Sequence, residues 1–290
     1  MIEKPIFIVG TGRCGSTMFH DILRHHRDLG WLTQLAEQRP GRVYLNRWGI
    51  KALDYPVVGK LARRYLVPSE PYRFWEHHCH GFSRPYRDIT EHDVIPRVVP
   101  RLRSALARSI PADKRLLAKI TGWPRIRYLK RIFPDAKFVH IVRDGRAVVN
   151  SVLAAPYFDG WTGPGQWARG ELSDAQRKAW QDSGESFVLL AAIGWENRMK
   201  AFEKASSMIP EEDYLEIRYE DFCKNKLQET DRTLDFLDLS SSRNSELFHR
   251  TVESITVSNQ NQKWRSDLSN EQQAVLNDYL APVIQRYGYE

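Results

Sequence analysis

A loop near the start of the chain combines the residue types of an anion-binding site. Residues 10–17 have the sequence Gly-Thr-Gly-Arg-Cys-Gly-Ser-Thr. Glycine allows the backbone to curl so that successive N–H groups point inward, where they bind phosphate or sulfate oxygens. The spacing matches a nucleotide P-loop, except that Ser16 occupies the lysine position and the basic side chain comes earlier, at Arg13. We therefore predict an anion site without the lysine that reaches the β- and γ-phosphates of ATP. A glycine turn that binds nothing is the alternative.

The segments on either side of this loop would position it. An apolar run of strand length, residues 5–10, precedes the loop, and residues 18–23 follow it with apolar side chains at helical spacing. A helix that begins at the loop directs its N-terminal N–H groups and a partial positive charge at a bound anion. Strand, glycine loop and helix together are typical of a phosphate-binding cradle.

A second candidate anion site follows a later strand. The apolar run 137–142 ends at Arg143, and a helix carrying Ser151 comes next. The interval from Asp144 to Ser151 is close to two helical turns, so both residues lie on one helix face. A guanidinium at the strand end and a hydroxyl above it can hold one phosphate from two sides. The alternative is that Asp144 caps the helix and Arg143 forms a structural ion pair.

Strands that alternate with helices predict the fold class. Besides residues 5–10 and 137–142, we predict strands at 116–120 and 214–219, and helices at 186–206, 227–237 and 271–287. This order predicts an α/β protein, a P-loop NTPase-like three-layer sandwich with a mostly parallel central sheet flanked by helices. Ligands of such sheets bind beyond the carboxyl ends of the strands, where Arg13, Lys119 and Arg143 would lie.

The remaining segments show no strand periodicity. We predict a turn at 27–30 and helices and loops over about 41–109. Residues 155–184 are rich in glycine, proline and aromatic side chains. A loop of this length inside a domain either covers a substrate or is a surface excursion. We treat residues 1–290 as a single domain with variable segments at about 41–115 and 155–185.

Composition restricts the function classes. The net charge of +7 suits an anionic ligand, but the basic residues form no long block, which argues against nucleic acid. The three cysteines are far apart and show no disulfide or zinc pattern, which favours a reducing compartment. The sequence contains no signal peptide and no apolar run that spans a bilayer, so we expect a cytoplasmic protein without a membrane span. An anchor removed upstream would leave no trace here.

A histidine-rich cluster at residues 77–80 is the one pattern that suggests a metal. Its members are consecutive along the chain, with a cysteine among them. Consecutive side chains on a helix or strand point apart, so they do not converge on one ion. We therefore expect no metal site.

Taken together, the two anion-binding segments resemble the sulfotransferase family. The spacing over 141–151, joined to that of 12–17, carries the resemblance, and the segments 217–222, 263–265 and 287–289 add to it. It extends over nearly the whole chain except about 41–115 and 155–185, where family members differ most. It implies transfer of a sulfuryl group from 3′-phosphoadenosine 5′-phosphosulfate (PAPS) to a hydroxyl or amine acceptor by in-line displacement. The product of the donor would be 3′-phosphoadenosine 5′-phosphate (PAP). The acceptor and the oligomeric state are not implied.

The resemblance also implies residue roles. The loop would hold the 5′-phosphosulfate, and Arg143 and Ser151 the 3′-phosphate. The implied donor-binding residues are Gly12, Arg13, Cys14, Gly15, Ser16, Thr17, Arg143, Ser151, Tyr219 in the adenosine pocket, and Lys263. An arginine at position 13 is similar to tyrosyl-protein sulfotransferases and to some bacterial and carbohydrate-directed members. Lys119 resembles a lysine placed near the bridging oxygen. By analogy with phosphoryl transfer, such residues position the donor and neutralise charge, and no metal is required.

The acceptor group needs a base. Related enzymes place a glutamate shortly after the first helix, which makes Glu37 the first candidate, although Gln34 matches that position better. His20, on the first helix, is the second candidate. Glu37 as an ordinary surface carboxylate is the alternative.

Two other functions remain open. A P-loop kinase-like, nucleotide-dependent phosphotransferase is disfavoured by Ser16 in the lysine position and by the absence of a clear strand ending in a magnesium-binding aspartate. A non-catalytic polyanion-binding protein is supported only by the net charge.

Overall fold

A parallel five-stranded sheet forms the centre of the chain. The computed structural model describes residues 2–62, 65–83, 85–161, 170–240, 245–257 and 259–289. The strands are β1 (Ile6–Gly10), β2 (Leu29–Trp31), β3 (Arg115–Thr121), β4 (Lys137–Val142) and β5 (Tyr214–Arg218). Their order is β2-β3-β1-β4-β5, and every pairing is parallel. The predicted α/β class is confirmed.

The helices cover both faces of this sheet. They are α1 (Ser16–Leu23), α2 (Gln34–Gln38), α3 (Val43–Ala52), α4 (Pro56–Ala62), α5 (Tyr72–His78), α6 (Val98–Ser109), α7 (Ile126–Ile132), α8 (Gly145–Leu153), α9 (Asp174–Asp182), α10 (Phe187–Ser206), α11 (Tyr219–Lys224), α12 (Lys226–Phe236), α13 (Ser245–Ser254), α14 (Trp264–Asp267) and α15 (Asn270–Arg286). Successive side chains of a strand point to opposite faces. On β1, Phe7 and Val9 accordingly pack with residues of α6 and α7, whereas Ile6 and Ile8 pack with residues of α1 and α12. The result is the predicted three-layer arrangement.

The strand register brings the carboxyl ends of three strands together. Gly10 at the end of β1 is level with Thr121 at the end of β3, and Val9 is level with His140 near the end of β4. The loop after β1 and the residues after β3 and β4 therefore share one edge of the sheet, where parallel sheets bind ligands.

Two local predictions are wrong. Residues 27–30 do not form only a turn, because Leu29 and Gly30 begin the edge strand β2. A Cβ at Gly30 would lie 3.2 Å from Ile110, so glycine here permits close packing of the strand. The predicted loop 155–184 contains helix α9, whose N-terminus is capped by the Ser173 hydroxyl. The part of that loop at 162–169 lies outside the described residues.

Candidate active site

The loop between β1 and α1 has a left-handed backbone at three positions. The φ angles are +84° at Gly12, +56° at Arg13 and +91° at Gly15. This conformation costs about 1 kcal/mol or more at a residue with a side chain, so Arg13 is held there by its surroundings. A Cβ at Gly15 would overlap the Tyr219 ring, so glycine allows that ring to pack directly on the loop. The loop is therefore both curled and supported from below, as an anion cradle requires.

Arg13 connects the two candidate anion sites. Its side-chain Nε donates to the Ser151 Oγ on α8 at 2.8 Å. Its main-chain carbonyl accepts a hydrogen bond from the Arg143 Nη1 at 2.9 Å. The structure thus brings together the loop, the end of β4 and the first turns of α8, as the spacing predicts. The Arg13 side chain remains exposed.

Arg143 is buried, and each of the three nitrogens of its guanidinium donates one hydrogen bond to the protein. Besides the Arg13 carbonyl, its Nη2 donates to the Gln260 carbonyl at 3.1 Å and its Nε to the Asn261 Oδ1 at 2.9 Å. The guanidinium carbon lies 4.5 Å from the centre of the Tyr219 ring, a cation–π contact. These partners are neutral, so the positive charge of Arg143 is not cancelled by them.

The neighbouring acid has a different partner. Asp144 caps α8 through the Arg146 N–H and forms a buried ion pair with the Arg146 guanidinium at 2.8 Å. The helix-cap part of the structural alternative is therefore present. The predicted ion pair of Arg143 is not part of this arrangement, because Asp144 pairs with Arg146 and the hydrogen-bond partners of Arg143 are neutral.

A glutamate of α11 fixes the segment that carries Asn261. Glu220 Oε1 accepts from the Asn261 Nδ2 at 2.6 Å and from the Asp144 N–H at 3.0 Å. Its Oε2 accepts from the Tyr289 hydroxyl at 3.0 Å. The segments 217–222 and 287–289 thus support Arg143 indirectly, through Glu220. No role was assigned to Glu220 or Asn261 from the sequence, although Glu220 lies in the segment 217–222, because their mutual contact depends on the tertiary fold.

A second cluster surrounds Lys119 on β3. The Lys119 Nζ donates to the Thr17 Oγ1 at 2.8 Å, which places a buried cation at the start of α1 beside the loop. The same Nζ lies 3.5 Å from the Glu70 Oε2. The other carboxylate oxygen, Glu70 Oε1, accepts from the Thr121 N–H at 2.5 Å and from the Thr121 hydroxyl at 2.8 Å. Glu70 is the carboxylate that the fold places beside Lys119.

Tyr72 is the remaining polar member of this cluster. Its ring is partly exposed, but its hydroxyl is desolvated and interacts with Thr121 and Glu70. Desolvation, and then the negative charge of Glu70, raise the pKa of Tyr72 to about 12. Tyr72 therefore stays protonated at neutral pH and can act only as a hydrogen-bond donor or acceptor.

The two predicted base candidates, Glu37 and His20, have surroundings that differ from those of Glu70. Glu37, in α2, accepts a hydrogen bond from the Arg73 N–H at 2.8 Å, at the N-terminus of α5. Gln34, which matches the family position better, accepts from the Ser69 hydroxyl at 3.2 Å, one residue before Glu70. His20 is buried, and burial, followed by the charges of Lys119 and Arg24, lowers its pKa to about 3. His20 is therefore neutral at physiological pH and a weak base.

The other predicted donor residues have varied surroundings. Ser16 and Cys14 are buried, and Thr17 is exposed at the first turn of α1. Lys263 precedes α14 and lies 3.8 Å from Asp267 in a largely exposed ion pair. Within the described ranges, no group of three or more His, Cys, Asp or Glu residues is arranged to hold a metal ion.

Cationic groups therefore approach the site from two directions. Arg13 lies on the loop and Lys119 on β3. Arg143, at the end of β4, contacts the loop at the Arg13 carbonyl, and the Arg13 side chain contacts Ser151. This arrangement can hold an anion with charge at two ends, and Glu70 adds a proton acceptor close to one of them. Among the described residues, no helix is long and apolar enough to cross a bilayer.

Comparisons with known proteins bear on this arrangement. A family model described as "Sulfotransferase family" matches residues 5–243. Two curated proteins from Mycobacterium bovis and Mycobacterium tuberculosis, both named omega-hydroxy-beta-dihydromenaquinone-9 sulfotransferase Stf3, are 24% identical over 330 residues. Each match covers 99% of this chain and 76% of the relative.

Solved structures share the fold. Sulfotransferase STF9 from Mycobacterium avium has a TM-score of 0.59 at 14% identity, over 97% of this chain and 77% of that one. Sulfotransferase STF1 from Mycobacterium tuberculosis H37Rv has a TM-score of 0.59 at 16% identity, over 98% of this chain and 78% of that one.

Proposed function

Because the chain belongs to the sulfotransferase family, we propose that it transfers a sulfuryl group from PAPS to the hydroxyl of an acceptor and releases PAP. The chain is a sulfotransferase. We infer its donor, the roles of its residues and the class of its acceptor from the geometry of the site. The observation that carries them is the double link of Arg13, through Nε to Ser151 and through its carbonyl to Arg143. This link holds two anion sites in one rigid arrangement, as a donor with phosphate groups at its 3′ and 5′ ends requires.

The residues present fit such a donor. The curled loop offers N–H groups and the N-terminus of α1 to the 5′-phosphosulfate. Arg143, whose hydrogen-bond partners are neutral, and the Ser151 hydroxyl are the groups that would hold the 3′-phosphate. The Tyr219 ring, packed on Gly15 and under Arg143, supplies an aromatic surface at the adenosine end.

The chemistry needs positioning and charge stabilisation. When bound, PAPS supplies a sulfuryl group whose bond to the phosphate oxygen breaks as the acceptor oxygen bonds the sulfur. Arg13 and Lys119 stabilise the negative charge that grows on the leaving phosphate oxygen. Thr17 fixes the direction of the Lys119 ammonium through their 2.8 Å hydrogen bond.

We assign the role of general base to Glu70. Its Oε1 is occupied by both Thr121 donors, so the carboxylate is oriented and its Oε2 faces Lys119. Glu70 Oε2 takes the proton of the acceptor hydroxyl as the new S–O bond forms. Glu37 lacks this support, because its contact is with the α5 terminus, and neutral His20 has too low a pKa. The Gln34–Ser69 contact gives a physical reason why the base would be Glu70 and not the residue at position 34. Here the segment containing Glu70 lies against the place where related enzymes carry their glutamate.

For the acceptor we propose an amphiphilic alcohol. The curated relatives are named for a hydroxylated menaquinone, which is a long apolar molecule with a terminal hydroxyl. The region 41–115 is one of the two segments where family members differ most, and it carries exposed apolar side chains on either side of Glu70, at Val67 and Tyr72.

Ligand-dependent melting temperature tests the donor assignment. PAP is expected to raise the melting temperature in the presence of EDTA, because a ligand that binds only the folded state stabilises it. At 100 times its Kd, PAP would add about 2.7 kcal/mol to the free energy of unfolding. ATP with Mg²⁺ and a single-stranded oligonucleotide serve as controls for the kinase-like and polyanion-binding alternatives. Stabilisation by ATP with Mg²⁺ and not by PAP would contradict the proposal.

A further inference from the structure

An apolar surface on α3, on α4 and on the residues next to these helices has no role in the site described above. Its members are large hydrophobic side chains that face solvent: Tyr44, Trp48, Tyr55, Val57, Val58, Leu61 and Tyr65. All except Tyr44 are more than half exposed, and Val57 is 85% exposed. We call this surface the α3–α4 face. Large exposed apolar side chains that are concentrated in one short segment, here residues 44–65, are typical of an interaction surface.

The fold does not need these side chains. Helix α3 packs inward through Val43, Asn46 and Ile50, which are buried. The Asn46 side chain donates to the carbonyls of Trp31 and Ser109, both at 2.9 Å, so α3 is firmly attached. The outward side chains of α3 are therefore not needed to pack this helix against the rest of the protein.

Helix α4 is oriented in the same way. Gly59 is buried, and a Cβ there would overlap the Leu53 carbonyl, so this side of α4 rests closely on the end of α3. Val57, Val58 and Leu61 consequently face outward. The apolar surface is a property of how the two helices pack.

The charge of this segment identifies the class of partner. Residues 39–64 contain seven basic residues and one acidic residue, Asp54. Arg42 and Lys51 are exposed, and Asp54 lies 3.3 Å from Lys114. Apolar side chains together with a strong excess of positive charge match an anionic lipid surface, where basic groups meet headgroups and apolar groups enter the acyl boundary.

The aromatic residues of the α3–α4 face also favour a lipid surface as the partner. Trp48 and Tyr44 form an edge-to-face pair with ring centres 5.1 Å apart, and Tyr55 and Tyr65 add two further phenols. Tryptophan and tyrosine have an apolar ring and a polar tip, and they are enriched at the membrane–water interface. We propose that the α3–α4 face docks this protein on the surface of an anionic lipid bilayer.

Docking here would place the active site close to acceptors that reside in the bilayer. Residues 66–69 are fixed against the protein, since the Leu66 carbonyl accepts from the Trp31 indole at 3.3 Å and the Ser69 N–H donates to the Leu32 carbonyl at 2.9 Å. The next residue is Glu70. The docking surface is independent of the reaction, whereas its use for acceptor delivery rests on the proposed function.

Sedimentation with lipid vesicles tests this surface. The wild-type chain is expected to bind vesicles of equal parts phosphatidylglycerol and phosphatidylcholine, and to bind pure phosphatidylcholine vesicles more weakly. In the variant Val57→Glu/Leu61→Glu the partition coefficient should fall by roughly tenfold or more, because two apolar side chains can no longer enter the boundary. Leu247→Glu is the matched control, since Leu247 is an exposed apolar residue on α13. Its partition coefficient should equal that of the wild type.

A folding control and a second variant make the outcome decisive. PAP-dependent melting, recorded without vesicles, shows whether each variant is folded, and Trp48→Glu replaces the double variant if that one does not fold. Absent vesicle binding by a wild-type chain that responds to PAP would overturn the docking surface and leave the proposed function standing. Equal vesicle binding by wild type and the α3–α4 variant would overturn it too. So would a concentration-dependent dimer that the variant abolishes, because a second copy would then cover the face.

Discussion

Replacing Glu70 with glutamine is expected to lower the turnover number by about 10²–10⁴, the range for loss of a general base. Glutamine keeps the size of the side chain and an oxygen that accepts from Thr121, but it cannot take a proton. PAP affinity, measured by titration calorimetry, should change little, because the proposed role of Glu70 is toward the acceptor and a carboxylate gives no attraction to the anionic donor. The loss should be largest for aliphatic alcohols and smallest for acidic phenols such as 4-nitrophenol, which ionise without help.

This dependence on the acceptor separates two roles of Glu70. If Glu70 only positioned Lys119 through their 3.5 Å contact, turnover would fall by the same factor for alcohols and phenols. Glu37→Gln is the matched control, because it removes another partly buried carboxylate of the same region. Near-normal turnover in Glu70→Gln together with a large loss in Glu37→Gln would return the base to the position predicted from the sequence.

The second large effect is expected at Arg13. Arg13→Ala should lower the turnover number by about 10²–10³, as for loss of one preorganised charge-stabilising group. PAP affinity should fall much less, because an interaction that strengthens in the transition state lowers the barrier more than it improves binding. Alanine has the same left-handed backbone cost as arginine, so the change adds little strain at φ +56°.

Ser151→Ala is the control for this variant. It removes the 2.8 Å hydrogen bond to the Arg13 Nε but keeps the guanidinium in the loop. It should weaken PAP binding and leave most of the turnover at saturating donor. Unchanged turnover in Arg13→Ala would remove the leaving-group role and leave the donor site to the loop and Lys119.

The sequence was sufficient to predict which short segments approach one another at the end of the sheet. The loop 10–17, the strand before it and the Arg143–Ser151 spacing lie in continuous stretches whose backbone geometry follows from local rules. The structure brings these elements together as predicted. The edge strand β2 was missed because it has three residues, one of them glycine, directly after a turn-like Arg-Asp pair.

Glu70 was missed for a different reason. It lies in an irregular segment between α4 and α5, without periodicity, about fifty residues before Lys119 and Thr121. Only the path of the chain across the end of β3 brings the three together. Glu220 and Asn261 are comparable, because each supports Arg143 through a tertiary contact that no local pattern encodes. The surroundings of Arg143 were likewise beyond local rules, since its partners come from the loop and from residues 260–261.

The central claim is transfer of a sulfuryl group from PAPS to a hydroxyl. The most direct measurement follows ³⁵S-labelled PAPS with the purified chain, in EDTA, against a medium-chain primary alcohol in mixed phosphatidylglycerol vesicles and against 4-nitrophenol in solution. We expect the label to appear in a sulfate ester in equal amount with PAP, and the alcohol reaction to be lost in Glu70→Gln. Label that remains in PAPS with both acceptors, while ATP with Mg²⁺ yields a phosphorylated alcohol, would contradict the account.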